Sequence, residues 1–270
     1  QLKKYAQDLA EVYKSEKAKR KELQVAKEQL LIYADDLKKA ILDLKVAHKE
    51  TQEAYLDTIF RLVLVAEYKD EDTGDHIKRM SLYSVLIAKK LGLSDKEVQN
   101  ILYTAPMHDV GKVGIPDSIL MKKGKLTKKE FDIIKTHSAI GAKILSNSKS
   151  DIIKTAEQIA LTHHEKWDGK GYPQGLSGKK IPLVGRIVCL ADTFDALTAK
   201  RPYKDPYPIE VTCEIIKKER GEQFDPDVAD VFLENIDEAL KIKAKVGSTE
   251  DVSLSDFAKS ERDRLEREVK

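Results

Sequence analysis

The first 55 residues contain neither glycine nor proline, and they repeat apolar side chains with the period of a coiled coil. The first core position of successive heptads carries Leu2, Leu9, Glu16, Leu23, Leu30, Leu37 and Leu44. The second core position, three residues later each time, carries Tyr5, Val12, Lys19, Ala26, Tyr33, Ala40 and Ala47. This alternation predicts one long coiled-coil helix. We expect a parallel homodimer, although leucine followed by small residues does not by itself fix the number of chains.

Charge and composition exclude several classes of protein. The first 60 residues hold twelve basic and eleven acidic residues, and the whole chain has a net charge of +2, so we expect no nucleic-acid polymer as a partner. No run approaches the roughly eighteen apolar residues of a membrane span, and we predict a cytoplasmic location. Cys189 and Cys213 lack the spacing of a zinc knuckle and are expected to be free thiols.

From residue 58 the composition becomes that of a globular domain without strand alternation, so the predicted fold is all-α. Capping boxes at Ser94–Glu97 and Thr127–Glu130 predict two helix starts. Further helices are predicted near residues 76–91, 152–164, 183–198, 208–219 and 226–242. The resulting division is a coiled-coil helix over 1–57, a globular domain over 58–245 and a charged tail over 246–270.

Five of the six histidines lie between residues 76 and 164, and they recur as pairs with one another or with aspartate. An isolated histidine is more often structural than a ligand, and His48, on the charged helix, is given no role. The candidate metal ligands are His76, His108, Asp109, His137, His163, His164 and Asp192. Imidazole and carboxylate without thiolate favour Fe or Mn, with Ni and Zn as alternatives, over Mg or Ca.

Adjacent ligands suit either a helix end or two ions lying side by side. In the second case Asp109 is a natural bridge, because a carboxylate has two oxygens. Two ions about 3.5–4 Å apart can hold a phosphate, activate a water molecule and stabilise a leaving oxygen. The sequence therefore favours metal-dependent hydrolysis of a phosphodiester.

Residues 108–112, HDVGK, resemble the signature of the HD superfamily of metal-dependent phosphohydrolases. Residues 163–165, HHE, followed by GYP at 171–173, resemble the additional signature of the HD-GYP family, and the similarity extends over about 58–242. The resemblance implies an all-α HD-type helical bundle and a metal centre of two or three ions. It also implies hydrolysis of cyclic di-GMP to linear pGpG and GMP.

The resemblance also assigns ligands to individual ions. The first ion would be held by His76, His108, Asp109 and Asp192. The second ion would be held by Asp109, His137, His163 and His164. Members with three metals carry a glutamate four residues before the first histidine, where this chain has Asp72. A third metal ligand and a simple cap on the following helix both remain open for Asp72.

The resemblance further implies substrate contacts. Lys112 resembles the lysine that contacts phosphate in the family, and together with Asp109 it is the predicted catalytic group. Arg201 and Lys204 resemble basic residues that hold the second phosphate of the nucleotide; the alternative is an exposed basic turn. Tyr172 is expected to order the site or to contact a guanine face.

The function predicted from these residues is a cyclic di-GMP phosphodiesterase controlled through the N-terminal helix. One alternative is a phosphodiesterase for another cyclic dinucleotide, cyclic GMP-AMP. The other is a non-catalytic, nucleotide-responsive adaptor, which is less favoured because every core ligand is present. The chain begins at Gln1 rather than methionine, which leaves open that it belongs to a longer protein; an upstream receiver or sensory domain is then expected.

Overall fold

The computed structural model describes residues 1–67, 69, 74–200, 205–246, 260–264 and 267, and it divides into two compact units, Gln1–Tyr55 and Leu56–Lys270. The principal helices are α1 (Leu2–Glu67), α2 (Gly74–Lys90), α3 (Asp95–Thr104), α4 (Asp117–Leu120), α5 (Lys128–Leu145), α6 (Asp151–Thr162), α7 (Leu183–Thr198), α8 (Ile209–Lys218), α9 (Pro226–Glu234) and α10 (Ile236–Val246). Short 3-10 helices cover Ala105–Met107, Val110–Gly114 and Gly178–Lys180. Since the described residues form no β-strand, the all-α prediction is confirmed.

The N-terminal unit is a single helix, as the heptad predicted. Its leucines at the first core position are 63% to 90% exposed in the single chain. An apolar stripe of this length in water is what a coiled-coil partner would cover. No helix in the described part of the chain combines the length and the apolar content that crossing a bilayer requires.

The last turns of α1 belong to the second unit and pack into its core. The buried side chains on this face are Leu56, Ile59, Phe60, Val63 and Ala66. Their spacing of three and four residues places them on one side of the helix. The ring of Phe60 meets Tyr103 of α3 edge-on, with centroids 6.5 Å apart.

Helices α2 and α7 cross the centre of this unit and are buried on most of their surface. The aromatic rings of Tyr83, Phe194 and Phe232, from α2, α7 and α9, pack edge-to-face with centroids 4.8–6.4 Å apart. Because these helices cannot shift without opening this cluster, they form a firm base for the polar side chains at their other turns.

Both predicted capping boxes are present, at Ser94–Glu97 and Thr127–Glu130. The single helix predicted over 226–242 is wrong, because the chain breaks at Asn235 between α9 and α10. The side-chain amide of Asn235 donates to the carbonyl of Val231, and such local bonding competes with continuation of the helix. Of the predicted tail, the structure describes residues 246, 260–264 and 267, where buried Glu261 pairs with Lys245 at 3.0 Å.

Gly111 allows the 3-10 helix Val110–Gly114 to lie directly against α5. A Cβ atom at this position would come within 1.9 Å of the His137 carbonyl oxygen and 2.5 Å of the Gly141 nitrogen. Both neighbours are main-chain atoms of a helix, so neither can turn aside. The segment that follows the HD pair is therefore held at a distance that only glycine permits.

Replacing Gly111 with alanine is expected to destabilise the second unit by about 1–3 kcal/mol or more, since α5 would have to move. In a unit of this size that lowers the melting temperature by about 2–4 °C for each kcal/mol. Thermal unfolding of the metal-free protein, followed by circular dichroism, measures the shift. The matched control is Gly114→Ala in the same 3-10 helix, whose Cβ would meet only the flexible Ile140 side chain at 3.0–3.1 Å. Equal melting temperatures for the two variants would contradict the packing argument.

Candidate metal centre

The predicted ligands come from five separate parts of the bundle. They lie in the first turn of α2, after the 3-10 helix Ala105–Met107, in the middle of α5, at the end of α6 and in α7. The structure brings together His76, His108, Asp109, His137, His163, His164 and Asp192 in two adjoining clusters. Because the segments are distant in sequence, only the packing of the bundle makes them neighbours.

The first cluster contains His76, His108 and Asp192, whose ligand atoms all lie within 4.8 Å of one another. The rings of the two histidines have centroids 5.9 Å apart at 65°. Both histidines are buried, whereas the Asp192 side chain is 23% exposed and marks the side that is open to solvent. The cluster is therefore buried at its two imidazoles and reaches solvent at Asp192.

The second cluster contains Asp109, His137, His163 and His164, again with ligand atoms within 4.8 Å of one another. Asp109 Oδ1 lies 3.1 Å from His137 Nε2 and 3.5 Å from His163 Nε2. The rings of His163 and His164 are adjacent, with centroids 4.0 Å apart. Consecutive residues can both take part because they stand where α6 ends, with His163 as its C-cap.

Asp109 joins the two clusters through its separate oxygens. While Oδ1 faces the second cluster, Oδ2 lies 3.1 Å from His108 Nε2 in the first cluster and 2.8 Å from Lys112 Nζ. Burial opposes ionisation of Asp109, yet nearby Lys112 and His108 hold the pKa of its carboxyl well below its ordinary value. The group is therefore a carboxylate at neutral pH, as a bridging ligand must be.

The hydrogen bonds of the outer ring nitrogens test whether these residues suit a metal ion. The Nδ1 atoms of His108, His137 and His163 lie 2.7–3.1 Å from main-chain carbonyl oxygens. A carbonyl only accepts, so each Nδ1 donates, and the other ring nitrogen, Nε2, faces the site.

The Nε2 atoms of His137 and His163 consequently face each other across 3.4 Å, beside the Asp109 carboxylate. Burial lowers the pKa of His163, and it holds the pKa of His164 well below its ordinary value. Both rings are thereby kept in the neutral form that metal ions require. The donors fit intermediate divalent transition metals, and a cation would satisfy all of these acceptors together.

The predicted substrate groups are only partly described. Lys112 stands at the junction of the clusters through its contact with Asp109. The ring of Tyr172 lies against His164, with centroids 4.7 Å apart and an interplanar angle of 32°. Burial raises the pKa of Tyr172, so its phenol stays protonated. The predicted residues Asp72, Arg201 and Lys204 lie outside the described residues.

The structure adds one residue that orders the glycine-rich loop. Both carboxylate oxygens of buried Glu165 accept main-chain N–H groups, from Gln174 at 2.7 Å and Leu176 at 2.9 Å. The loop also folds back so closely that a Cβ on Gly171 would lie 2.2 Å from the Lys166 nitrogen. Glu165 was part of the quoted HHE signature, but nothing local indicated that it would hold the far end of the loop.

Two further residues missed in the sequence support His76. Its Nδ1 atom lies 2.8 Å from Asp195 Oδ2, and Asp195 also accepts two hydrogen bonds from Arg79. Burial alone would lower the pKa of His76, but Asp195 and Asp192 raise it above its ordinary value. A usable signal existed in the spacing, because Asp195 follows Asp192 by three residues and so lies on the same face of a helix.

Comparisons with known proteins agree with this geometry. The sequence profile of the HD domain family matches residues 62–228. A "Cyclic di-GMP phosphodiesterase" of Thermotoga maritima is 43% identical over 205 residues, which are 74% of this chain and 56% of the relative. A "3'3'-cGAMP-specific phosphodiesterase 2" of Vibrio cholerae is 42% identical over 205 residues, 76% of this chain and 39% of the relative. The chain thus spans about half or less of the length of these relatives.

A solved structure shares the fold. It is a cyclic GMP-AMP specific phosphodiesterase of Vibrio cholerae, which superposes with a TM-score of 0.54 at 20% sequence identity. The match covers 75% of this chain and 52% of the other. It confirms the expected HD-type bundle. Profile, relatives and fold agree, so this chain belongs to the HD domain family, and its resemblance to the HD-GYP members is confirmed.

Proposed function

We propose that this chain is a metal-dependent phosphodiesterase that hydrolyses cyclic di-GMP to pGpG, GMP or both. The observation that carries the proposal is Asp109, whose two oxygens face two adjoining sets of imidazole donors. Shared carboxylates of this kind suit a pair of metal ions, the device that proteins use for displacement at phosphorus. The substrate follows from the Thermotoga maritima relative, which carries that name at 43% identity. In this proposal residues 58–245 form the catalytic domain.

The cofactor is proposed to be a pair of divalent ions, Fe or Mn, with Ni and Zn as alternatives. When bound, such ions act as Lewis acids on the phosphate and lower the pKa of water. His76, His108, Asp109 and Asp192 would hold the first ion. Asp109, His137, His163 and His164 would hold the second. A third ion at Asp72 stays a prediction.

Lys112 gives the site its own positive charge next to the shared carboxylate. An ammonium there can neutralise the charge that develops on the equatorial phosphate oxygens. Water forms the new bond to phosphorus, the bond to the 3′ oxygen breaks, and that oxygen takes a proton from water or from Lys112. Tyr172, protonated and stacked on His164, is proposed to meet the guanine. Arg201 and Lys204 remain the predicted contacts to the second phosphate.

Replacing Asp109 with alanine is expected to reduce bound metal and to lower turnover by more than about 100-fold. Mutating a residue that only supports a metal ligand costs up to about 100-fold, and loss of a ligand itself should cost more. Helix content should persist, since the helices do not depend on this side chain. Metal analysis of anaerobically purified protein and chromatography of the products measure both effects. His48→Ala, on the exposed helix, is the control that keeps metal and activity. Unchanged turnover in the Asp109 variant would refute the mechanism.

Cyclic GMP-AMP is the second candidate substrate, because the Vibrio cholerae relative specific for it is 42% identical over a similar stretch. We expect cyclic di-GMP to be cleaved faster, given the intact GYP loop. Product analysis with each dinucleotide, under reducing conditions and with Fe and Mn compared, tests the choice. Faster cleavage of the mixed dinucleotide would reassign the substrate. Two bound ions without cleavage of either dinucleotide would reject the phosphodiesterase function. A chain that binds no metal would instead support the non-catalytic adaptor.

We also propose that α1 pairs two chains in parallel through its heptad stripe. Leu30 at the first core position is 69% exposed in the single chain, as an unpaired coiled-coil position would be. Burying a leucine contributes about 1.5–3 kcal/mol, and a symmetric dimer contains this position twice.

Leu30→Asp should therefore weaken the dimer by about 100-fold or more, at 1.4 kcal/mol for each tenfold change. Sedimentation equilibrium over a range of concentrations measures the dissociation constant. The matched control is Leu42→Asp, because Leu42 is similarly exposed at 54% but lies outside the stripe. Equal dissociation constants for the two variants would show that this face does not pair the chains.

Regulation through the N-terminal helix is supported by Lys69, which follows the end of α1. Its ammonium lies 3.2 Å from the carbonyl oxygens of Val113 and Ile115 and 2.9 Å from Asp117 Oδ1. Three acceptors use all three of its donors. The end of α1 is thus tied to the segment that directly follows Lys112, so a displacement of the helix can reach the site. A receiver or sensory domain upstream, and a cytoplasmic location, stay predictions.

A further inference from the structure

His76 differs from three other ligand histidines in what its outer nitrogen contacts. His108, His137 and His163 use main-chain carbonyls three or four residues earlier in the chain. His76 instead uses the carboxylate of Asp195, which belongs to another helix. We propose that Asp195, fixed by Arg79, is a positioning residue that sets the affinity of the first metal site and leaves the second unaffected.

The contact is a closed network between α2 and α7. Arg79 Nε lies 2.6 Å from Asp195 Oδ1, and Arg79 Nη2 lies 2.9 Å from Asp195 Oδ2, so the guanidinium engages both oxygens. Asp195 is fully buried at 0% exposure. Each helix supplies one ligand and one supporting residue at the same spacing of three: His76 with Arg79, and Asp192 with Asp195.

This network fixes the orientation of the His76 ring. The guanidinium of Arg79, which donates two hydrogen bonds to Asp195, keeps this carboxylate ionised. An ionised carboxylate can only accept, so His76 Nδ1 must donate. The lone pair of Nε2 then points into the first cluster, where Asp192 Oδ1 lies 3.7 Å away. A carboxylate behind an imidazole also makes it a stronger ligand than a carbonyl does.

A purely structural role for the Arg79–Asp195 pair is the alternative. The chain offers a matched comparison in Arg186–Asp225, which joins α7 to the start of α9. In both pairs the arginine side chain is 13% exposed and the aspartate side chain 1% exposed. Asp225 accepts hydrogen bonds from Arg186 and from the main-chain N–H of Asp227, so its loss reports stability alone.

The inference rests on the proposed metal-dependent function, and Mn²⁺ binding to the metal-free full chain tests it. Calorimetric titration of wild type is expected to give two sites. Asp195→Asn should weaken one of them by about 10- to 100-fold, because the amide would turn an N–H group towards either Arg79 or His76. In a His164→Ala background, which impairs the second cluster, the remaining site should weaken by the same factor.

Asp225→Asn should lower the melting temperature of the metal-free protein as Asp195→Asn does, and should leave both Mn²⁺ affinities unchanged. Unchanged Mn²⁺ affinities in Asp195→Asn, or equal weakening of both sites, would overturn the proposal. If Asp195→Asn does not fold, Arg79→Lys decides the question, since lysine keeps the positive charge but cannot donate to both oxygens of Asp195 as the guanidinium does. Weaker Mn²⁺ binding at one site in this variant supports the proposal, and wild-type affinities at both sites reject it. Two Mn²⁺ sites in a wild-type chain that cleaves no cyclic dinucleotide would reject the proposed function and leave this inference standing.

Discussion

Three buried polar atoms converge at the centre of the bundle: the Nε2 atoms of His137 and His163 and the Oδ1 atom of Asp109, all within 3.5 Å of one another. Burying polar atoms that only accept is costly unless something positive meets them. Lys112 meets the other oxygen of Asp109, the Ser138 hydroxyl lies 3.3 Å from His137 Nε2, and a cation would meet the three inward atoms together. The helices, their caps and their close contacts hold this arrangement in place against its own repulsion.

Three glycines show how the surrounding backbone reaches the site. A Cβ on Gly111 would overlap the His137 carbonyl, one on Gly171 would overlap the main chain of Glu165 and Lys166, and one on Gly185 would lie 2.1 Å from the Thr162 hydroxyl. Each contact lies at or beside a segment that carries a ligand. The glycines of the HD and GYP signatures therefore act chiefly through packing, because they let main chain approach main chain where the ligands are presented.

Local rules predicted much of this molecule, since heptads and capping boxes depend on residues a few positions apart. The members of the two clusters were also predictable, because paired histidines with aspartate restrict the chemistry. The break at Asn235 was not, since one local side-chain bond outweighed a continuous apolar pattern. Asp195 and Glu165 were missed because their partners, His76 and the far end of the loop, become neighbours only when the bundle packs.

His76 is supported in a physically different way from the histidines of the second cluster. His137 and His163 are fixed by carbonyls of the preceding helical turn, so their orientation forms together with α5 and α6. His76 depends on Asp195, and its orientation therefore requires α2 to be seated against α7. The orientation of His76 therefore requires two helices to pack together, whereas His137 and His163 are oriented within their own helices.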